Sequence, residues 1–201
     1  MDKNRPNTDT AGVKMSRQKA GQRLNATDFY ATPPWCYENL DIDWSIFSSA
    51  HEPCRGDGRI QFFLESDLSL PTTYSEIMED KDFFEWSDGT DLIITNPPFS
   101  IAREFIDHSL EHCNTCIMLL RINYLGSISR HEWWKQNQPT ALHVLSKRPS
   151  FTGKGTDATD YAWFVWDKSE RLEKGIFFVP PPNKEQVREA NDLAEVLYGD
   201  S

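Results

Sequence analysis

The sequence predicts an α/β fold of three layers, built on a mostly parallel sheet with an antiparallel edge. Three observations carry this. Apolar runs at Asp91–Thr95, Cys116–Leu120 and Tyr161–Trp166 have the length and composition of strands covered on both faces. Helical patterns at Ser100–His112 and Ser129–Asn137 follow the first two runs, as the crossovers of a parallel sheet require. Leu142–Leu145 and Tyr161–Trp166 have no helical pattern between them, so the sheet turns antiparallel at that edge.

Taken in order, residues 1–26 are polar, nearly free of large apolar side chains, and read as a mobile basic arm. The body follows over 27–180. Asp28-Phe29-Tyr30-Ala31-Thr32-Pro33-Pro34-Trp35 is an aromatic-rich turn leading into a helix. Phe47-Ser48-Ser49-Ala50-His51 is poor in strand formers, whereas Thr72–Ile77 reads as a strand. Ser100 is placed to cap the helix it opens. Pro180-Pro181-Pro182 stops any strand. The tail, 181–201, starts with Asn183 and Gln186 at capping-box spacing, and Val187, Leu193, Val196 and Leu197 give it an amphipathic helix.

A chain of 201 residues suits one domain, and its 7 Trp, 12 Phe and 6 Tyr can fill a sizeable core. The longest apolar run, Tyr161–Trp166, is too short to span a bilayer. The opening MDKNRPNTDT lacks the apolar stretch of a signal peptide, and Cys36, Cys54, Cys113 and Cys116 form no dense disulfide framework. The expectation is a cytoplasmic protein with free thiols. The net charge of −10 is unevenly spread: residues 1–25 carry six Lys/Arg against two Asp/Glu, and 121–154 carry six against one. An acidic body with two basic stretches can still bind a polyanion locally.

The strongest chemical signal is Asn96-Pro97-Pro98-Phe99, directly after the buried run Asp91–Thr95. Ligands of open α/β sheets bind beyond the carboxyl ends of the strands. By average residue frequencies, Asn-Pro-Pro-aromatic arises in roughly one chain of this length in several hundred. The chemistry that wants it is methyl transfer to a planar amino group. An adenine N6 lone pair is delocalised into the ring and attacks poorly. The Asn96 side-chain oxygen and the Pro97 carbonyl can accept both amino hydrogens and turn the lone pair outward. Phe99 would stack on a base extruded from a duplex.

Glu52-Pro53-Cys54-Arg55-Gly56-Asp57-Gly58 is a weaker signal, in which Gly56 and Gly58 permit close backbone approach to a ligand. Glu76 ends the expected second strand, where a carboxylate can accept both hydroxyls of a ribose. Asp82 and Phe83 follow and could take an adenine amino group and ring.

The ordered set Tyr30/Thr32-Pro33-Pro34, Glu52-Pro53-Cys54-x-Gly56-x-Gly58 and Asn96-Pro97-Pro98-Phe99 resembles the S-adenosylmethionine-dependent DNA adenine-N6 methyltransferases. The cofactor motifs precede the catalytic one, and the set is especially similar to the small enzymes of bacteriophages and prophages. Lys147-Arg148-Pro149-Ser150-Phe151 and Asp160–Trp166 look like that group's target-base loop and following strand. The resemblance implies a Rossmann-like methyltransferase fold in a bacterial or phage-infected cell. It implies that Tyr30 and Thr32 hold the methionine end of S-adenosyl-L-methionine beside Glu52, Pro53, Cys54, Gly56 and Gly58. Glu76 would take the ribose, and Asp82 with Phe83 the adenine. Asn96, Pro97, Pro98 and Phe99 would hold the target base, with Lys147, Arg148 and Phe151 at the DNA. The segment from Glu76 to Asn96 is short, so a helix of larger relatives is reduced, and no room is left for a separate recognition domain.

The implied activity is methylation of adenine N6 in DNA by base flipping, with a short or relaxed target and a homodimer possible. The motif orients any planar amino group, so RNA adenine or a protein glutamine are rival substrates. A catalytically silent nucleic-acid-binding subunit is a rival of another class. Cys113-x-x-Cys116 with His108 and His112 offers zinc donors, but Cys116 begins a buried strand and no metal is expected. Trp133-Trp134 could stack on bases, though packing explains the pair equally well.

Overall fold

A computed structural model describes residues 30–152 and 155–198. The expected arm, residues 1–26, lies outside the described residues, as do Asp28, Phe29 and Lys154. Seven strands form one sheet: β1 (Ala50–Glu52), β2 (Thr72–Tyr74), β3 (Thr90–Thr95), β4 (Cys113–Arg121), β5 (Ala141–Leu145), β6 (Tyr161–Asp167) and β7 (Gly175–Val179). Their order is β2-β1-β3-β4-β6-β5-β7. The pairs β2–β1, β1–β3, β3–β4 and β5–β7 are parallel, and β6 runs against both β4 and β5.

Alternation along the central strands divides the core in two. Leu92, Ile94, Ile117, Leu119, Trp163 and Val165 face one side. There they pack under α1 (Trp35–Glu38) and α2 (Arg59–Phe62), which widens into a π turn over Phe63–Asp67. Ile93, Cys116, Met118, Leu120 and Phe164 face the other side, covered by α3 (Ala102–His112) and α4 (His131–Gln136). The middle layer is therefore apolar on both faces, which is why its sequence shows runs rather than alternation. No helix among the described residues is long and apolar enough to cross a membrane.

Several elements differ from expectation for local reasons. β1 forms from the unpromising stretch with its buried imidazole satisfied: His51 reaches Thr73 Oγ1 at 2.8 Å and Ser75 Oγ at 3.0 Å. Its ring also stacks on Trp86, with centroids 3.9 Å apart, and burial followed by the nearby His108 lowers its pKa to about 4. Ser100 does not cap α3; Pro98 leads into a 3₁₀ turn over Phe99–Ile101 that absorbs it. The expected helix from Ser129 starts as a 3₁₀ turn (Ile128–Arg130) and is helical only from His131. The strand expected over Thr72–Ile77 stops at Tyr74, because Glu76 caps a 3₁₀ turn over Ile77–Glu79. Trp133 donates its Nε1–H to Asp107 at 2.7 Å and is buried, so it packs rather than offering a stacking face.

The tail helix, α5 (Lys184–Tyr198), has the expected capping box: Asn183 Oδ1 accepts from Gln186 N–H at 3.0 Å, and Gln186 Oε1 from Asn183 N–H at 3.1 Å. Gln186 also donates to Asn39 Oδ1 at 2.8 Å, fastening α5 beside α1. Ala194 is buried, whereas Val196 points to solvent.

Candidate active site

Because β1, β2 and β3 run parallel, their carboxyl ends open on one edge of the sheet. β1 ends in Glu52, β2 leads through Ser75 to Glu76, and β3 leads into Asn96. Together they bound a cavity of about 540 Å³. One wall is the loop of Glu52, Pro53, Cys54 and Gly56; another is Glu76 with Asp82 and Phe83. Tyr30 and Thr32 meet Asn96 and Pro98 at the remaining side.

The glycine loop is shaped by conformations that suit glycine. Gly56 has φ +54° and Gly58 φ +84°, both left-handed. A side chain on Gly58 would also press on the Arg55 guanidinium at 3.4 Å. Gly58 stands at the start of α2 and shapes the turn rather than lining the cavity. Glu76 ties the loop to the end of β2, its Oε2 accepting from Gly56 N–H at 2.8 Å and its Oε1 from Met78 N–H at 3.0 Å. Asp82 accepts from Phe84 N–H at 2.9 Å, and Phe83 is buried against Phe105 with ring centroids 5.2 Å apart.

Two buried oxygens in this cavity have no hydrogen-bond partner. One is Glu52 Oε2, and burial pushes the Glu52 carboxyl well above the usual carboxylate range. Burial likewise raises the Cys54 thiol. The other is Asn96 Oδ1. Its orientation is set from the opposite end of the amide: Nδ2 donates to the Tyr30 carbonyl and to Thr32 Oγ1, each at 3.1 Å. With Nδ2 engaged by both, the acceptor is the end left for a ligand.

Pro97 is buried and Phe99 turns away from the cavity into an aromatic cluster. Phe99 lies 5.7 Å from Tyr161 and 6.1 Å from Tyr30, and Phe151 lies 5.3 Å and 5.5 Å from the same two rings. The Arg121 guanidinium carbon stands 4.9 Å from the Phe99 ring centre, on a face expected to meet a base. Arg121 is held there by Tyr161 Oη at 3.2 Å and Asp157 at 3.4 Å, so a cation already lies over one face of the Phe99 ring. Lys147 and Arg148 are exposed beyond β5 and do not line the cavity.

Sequence reasoning missed Arg121 and Asp157, which are 36 residues apart and meet only because β6 returns beside β4. It also missed Ile77 and Met78, which line the cavity next to Glu76. Met78 is 86% exposed, an apolar side chain with no packing role in the fold, and its place after the strand-end acid was the readable signal.

No protein-family profile matches the sequence, and no curated protein matches it either. Solved structures of similar fold include one from Listeria monocytogenes assigned to the class I S-adenosylmethionine-dependent methyltransferases. It has a TM-score of 0.52 and 12% identity, over 92% of this chain and 76% of that one. Another, assigned as a modification subunit of a type I restriction enzyme from Vibrio vulnificus, has a TM-score of 0.52 and 14% identity, over 89% and 55%. A third is the type I restriction-modification system methyltransferase subunit from Streptococcus thermophilus, with a TM-score of 0.50 and 9% identity, over 81% and 49%. The chain thus spans about half the length of the two restriction-modification subunits. At such identities the shared property is architecture, and this chain has the Rossmann-like methyltransferase fold.

Proposed function

We propose that the protein transfers a methyl group from S-adenosyl-L-methionine to the N6 amino group of adenine in DNA. The observation that carries this reading is Asn96: its Nδ2 is tethered twice and its buried Oδ1 has no partner in a strand-end cavity. An unpartnered buried acceptor costs about 1–3 kcal/mol, a cost that a ligand donor removes.

The cavity suits the cofactor chemically. A cationic ligand with an amino-acid end and a ribose finds Glu52, Asp57, Glu76 and Asp82 along the walls. Glu52 Oε2 is free to accept from an ammonium group. Each Glu76 oxygen accepts one backbone N–H and retains acceptor capacity for a ribose hydroxyl. Phe83 and Ile77 offer apolar surface for a base ring. S-adenosyl-L-methionine supplies a methyl group on a sulfonium sulfur, an electrophile that needs only a well-directed lone pair.

Directing that lone pair falls to the chain. Asn96 Oδ1 and the Pro97 carbonyl accept the two amino hydrogens, drawing density onto nitrogen and fixing its orientation. The prolines hold the loop in one conformation, so the acceptors are in place before the base arrives. No general base of high pKa is required, since the proton leaves only after nitrogen has become cationic. The resemblance of the loop and of Lys147–Phe151, with the basic stretch 121–154, supports DNA as the methyl acceptor.

Asn96→Ala is expected to lose on the order of 10²–10³ in rate while keeping cofactor affinity. Tritiated cofactor, offered with DNA, RNA and protein acceptors in parallel, reads both the rate and the polymer. Undiminished turnover in Asn96→Ala, or label in RNA or glutamine instead of DNA, would overturn the reading.

A further inference from the structure

At the far end of α3 from the Asn96 loop, the helix closes with His108-Ser109-Leu110-Glu111-His112. Glu111 and His112 follow His108 at i+3 and i+4, so both are neighbours of His108 on the helix surface. A ligating atom of each residue lies within 4.8 Å of the other two. The histidine rings meet edge to face with centroids 4.4 Å apart.

An independent contact prepares one of them. His108 Nε2 lies 2.9 Å from the Trp86 carbonyl, which can only accept. Nε2 therefore carries a proton, which leaves Nδ1 as the nitrogen whose lone pair a metal would take. Metal-ligating imidazoles are held in this way, one nitrogen donating to a carbonyl while the other faces the ion. The order His-x-x-Glu-His is also one in which zinc enzymes present two imidazoles from a single helix.

Charges at the site act in both directions. Glu111 and the carbonyl end of the helix favour a cation. Lys168 opposes one, with Nζ 2.8 Å from the Leu110 carbonyl. Cys113 and Cys116 are buried in β4 and stand apart from this donor set.

We propose that His108, Glu111 and His112 bind a zinc ion, with water completing a four-coordinate shell. Tetrahedral zinc ligands stand about 3.3 Å apart, so donors that lie within 4.8 Å of one another would draw together on binding, the exposed Glu111 side chain among them. His108 also meets Phe83 edge-on at 4.7 Å, so the donor set stands against the turn that walls the cavity.

The test is calorimetric titration of the untagged full chain with zinc chloride, paired with cobalt(II) and its visible spectrum. One ion per chain and a tetrahedral cobalt band are expected. Glu111→Gln and His112→Gln should each weaken binding by at least the roughly 10–100-fold that a lost supporting contact costs. The Cys113→Ser/Cys116→Ser double variant should bind as the parent does. Equal zinc affinity in His112→Gln of unchanged thermal unfolding, or loss only in the cysteine variant, would overturn the proposal. Ion binding is read without methyl transfer, so its outcome is separate from that of the proposed activity.

Discussion

Glu52 is a carboxylic acid held where its charged form is disfavoured, at the end of a buried strand with one oxygen unpartnered. A cation brought beside it reverses the preference, because an opposite charge stabilises the ionised acid. Binding of S-adenosyl-L-methionine should therefore lower the Glu52 pKa and release a proton at any pH where the free carboxyl is still protonated. Calorimetry in buffers of different ionisation enthalpy measures this directly, and Glu52→Gln should abolish the buffer dependence. At this scale much of the site was legible. Asn96, Glu52, Glu76 and Asp82 were readable because each carries a polar group at a strand end or turn. Arg121 was not, since its partners Asp157 and Tyr161 reach it only through strand pairing.

Among elements, those with a strong local signal stand as read. The capping box of α5 is one, and it holds more than a helix end, since Gln186 also bridges to Asn39. Asn183→Ala is expected to cost about 1 kcal/mol of stability, seen as a lower urea midpoint, with cofactor affinity unchanged. Elements decided by tertiary context were harder. β1 contains His51 and Glu52, two polar residues that no alternation rule places inside, and only Thr73, Ser75 and the Trp86 ring make His51 at home there. β7 was not anticipated. Its Ile176 and Phe178 are 64% and 72% exposed, so its apolar run marks an edge strand and not a buried one.

For the molecule as a whole, the sheet and its covering helices occupy most of the described residues after Asn96. For the proposed activity on DNA, groove contacts are expected from the basic loops within 121–154 and from the basic residues of 1–25. Lys and Arg on phosphates position a protein without specifying bases. The expected target is accordingly short or relaxed, and affinity should fall steeply with salt. Removing residues 1–25 should weaken DNA binding uniformly across sequences and flatten the salt slope, leaving cofactor binding intact. Fluorescence anisotropy over a salt series measures both. Strict modification of one site of about five or more base pairs by a monomer would contradict this.

The double tether on Asn96 has a consequence for how the loop becomes directional. A carboxamide is nearly symmetric in shape, and only its neighbours distinguish the end that gives from the end that takes. Here those neighbours are Tyr30 and Thr32, 66 and 64 residues earlier in the chain. The loop that would do the chemistry therefore has no chemical direction of its own. It acquires one only where the chain's early turn meets the end of β3, so a loop parted from Tyr30 and Thr32 would lose its direction.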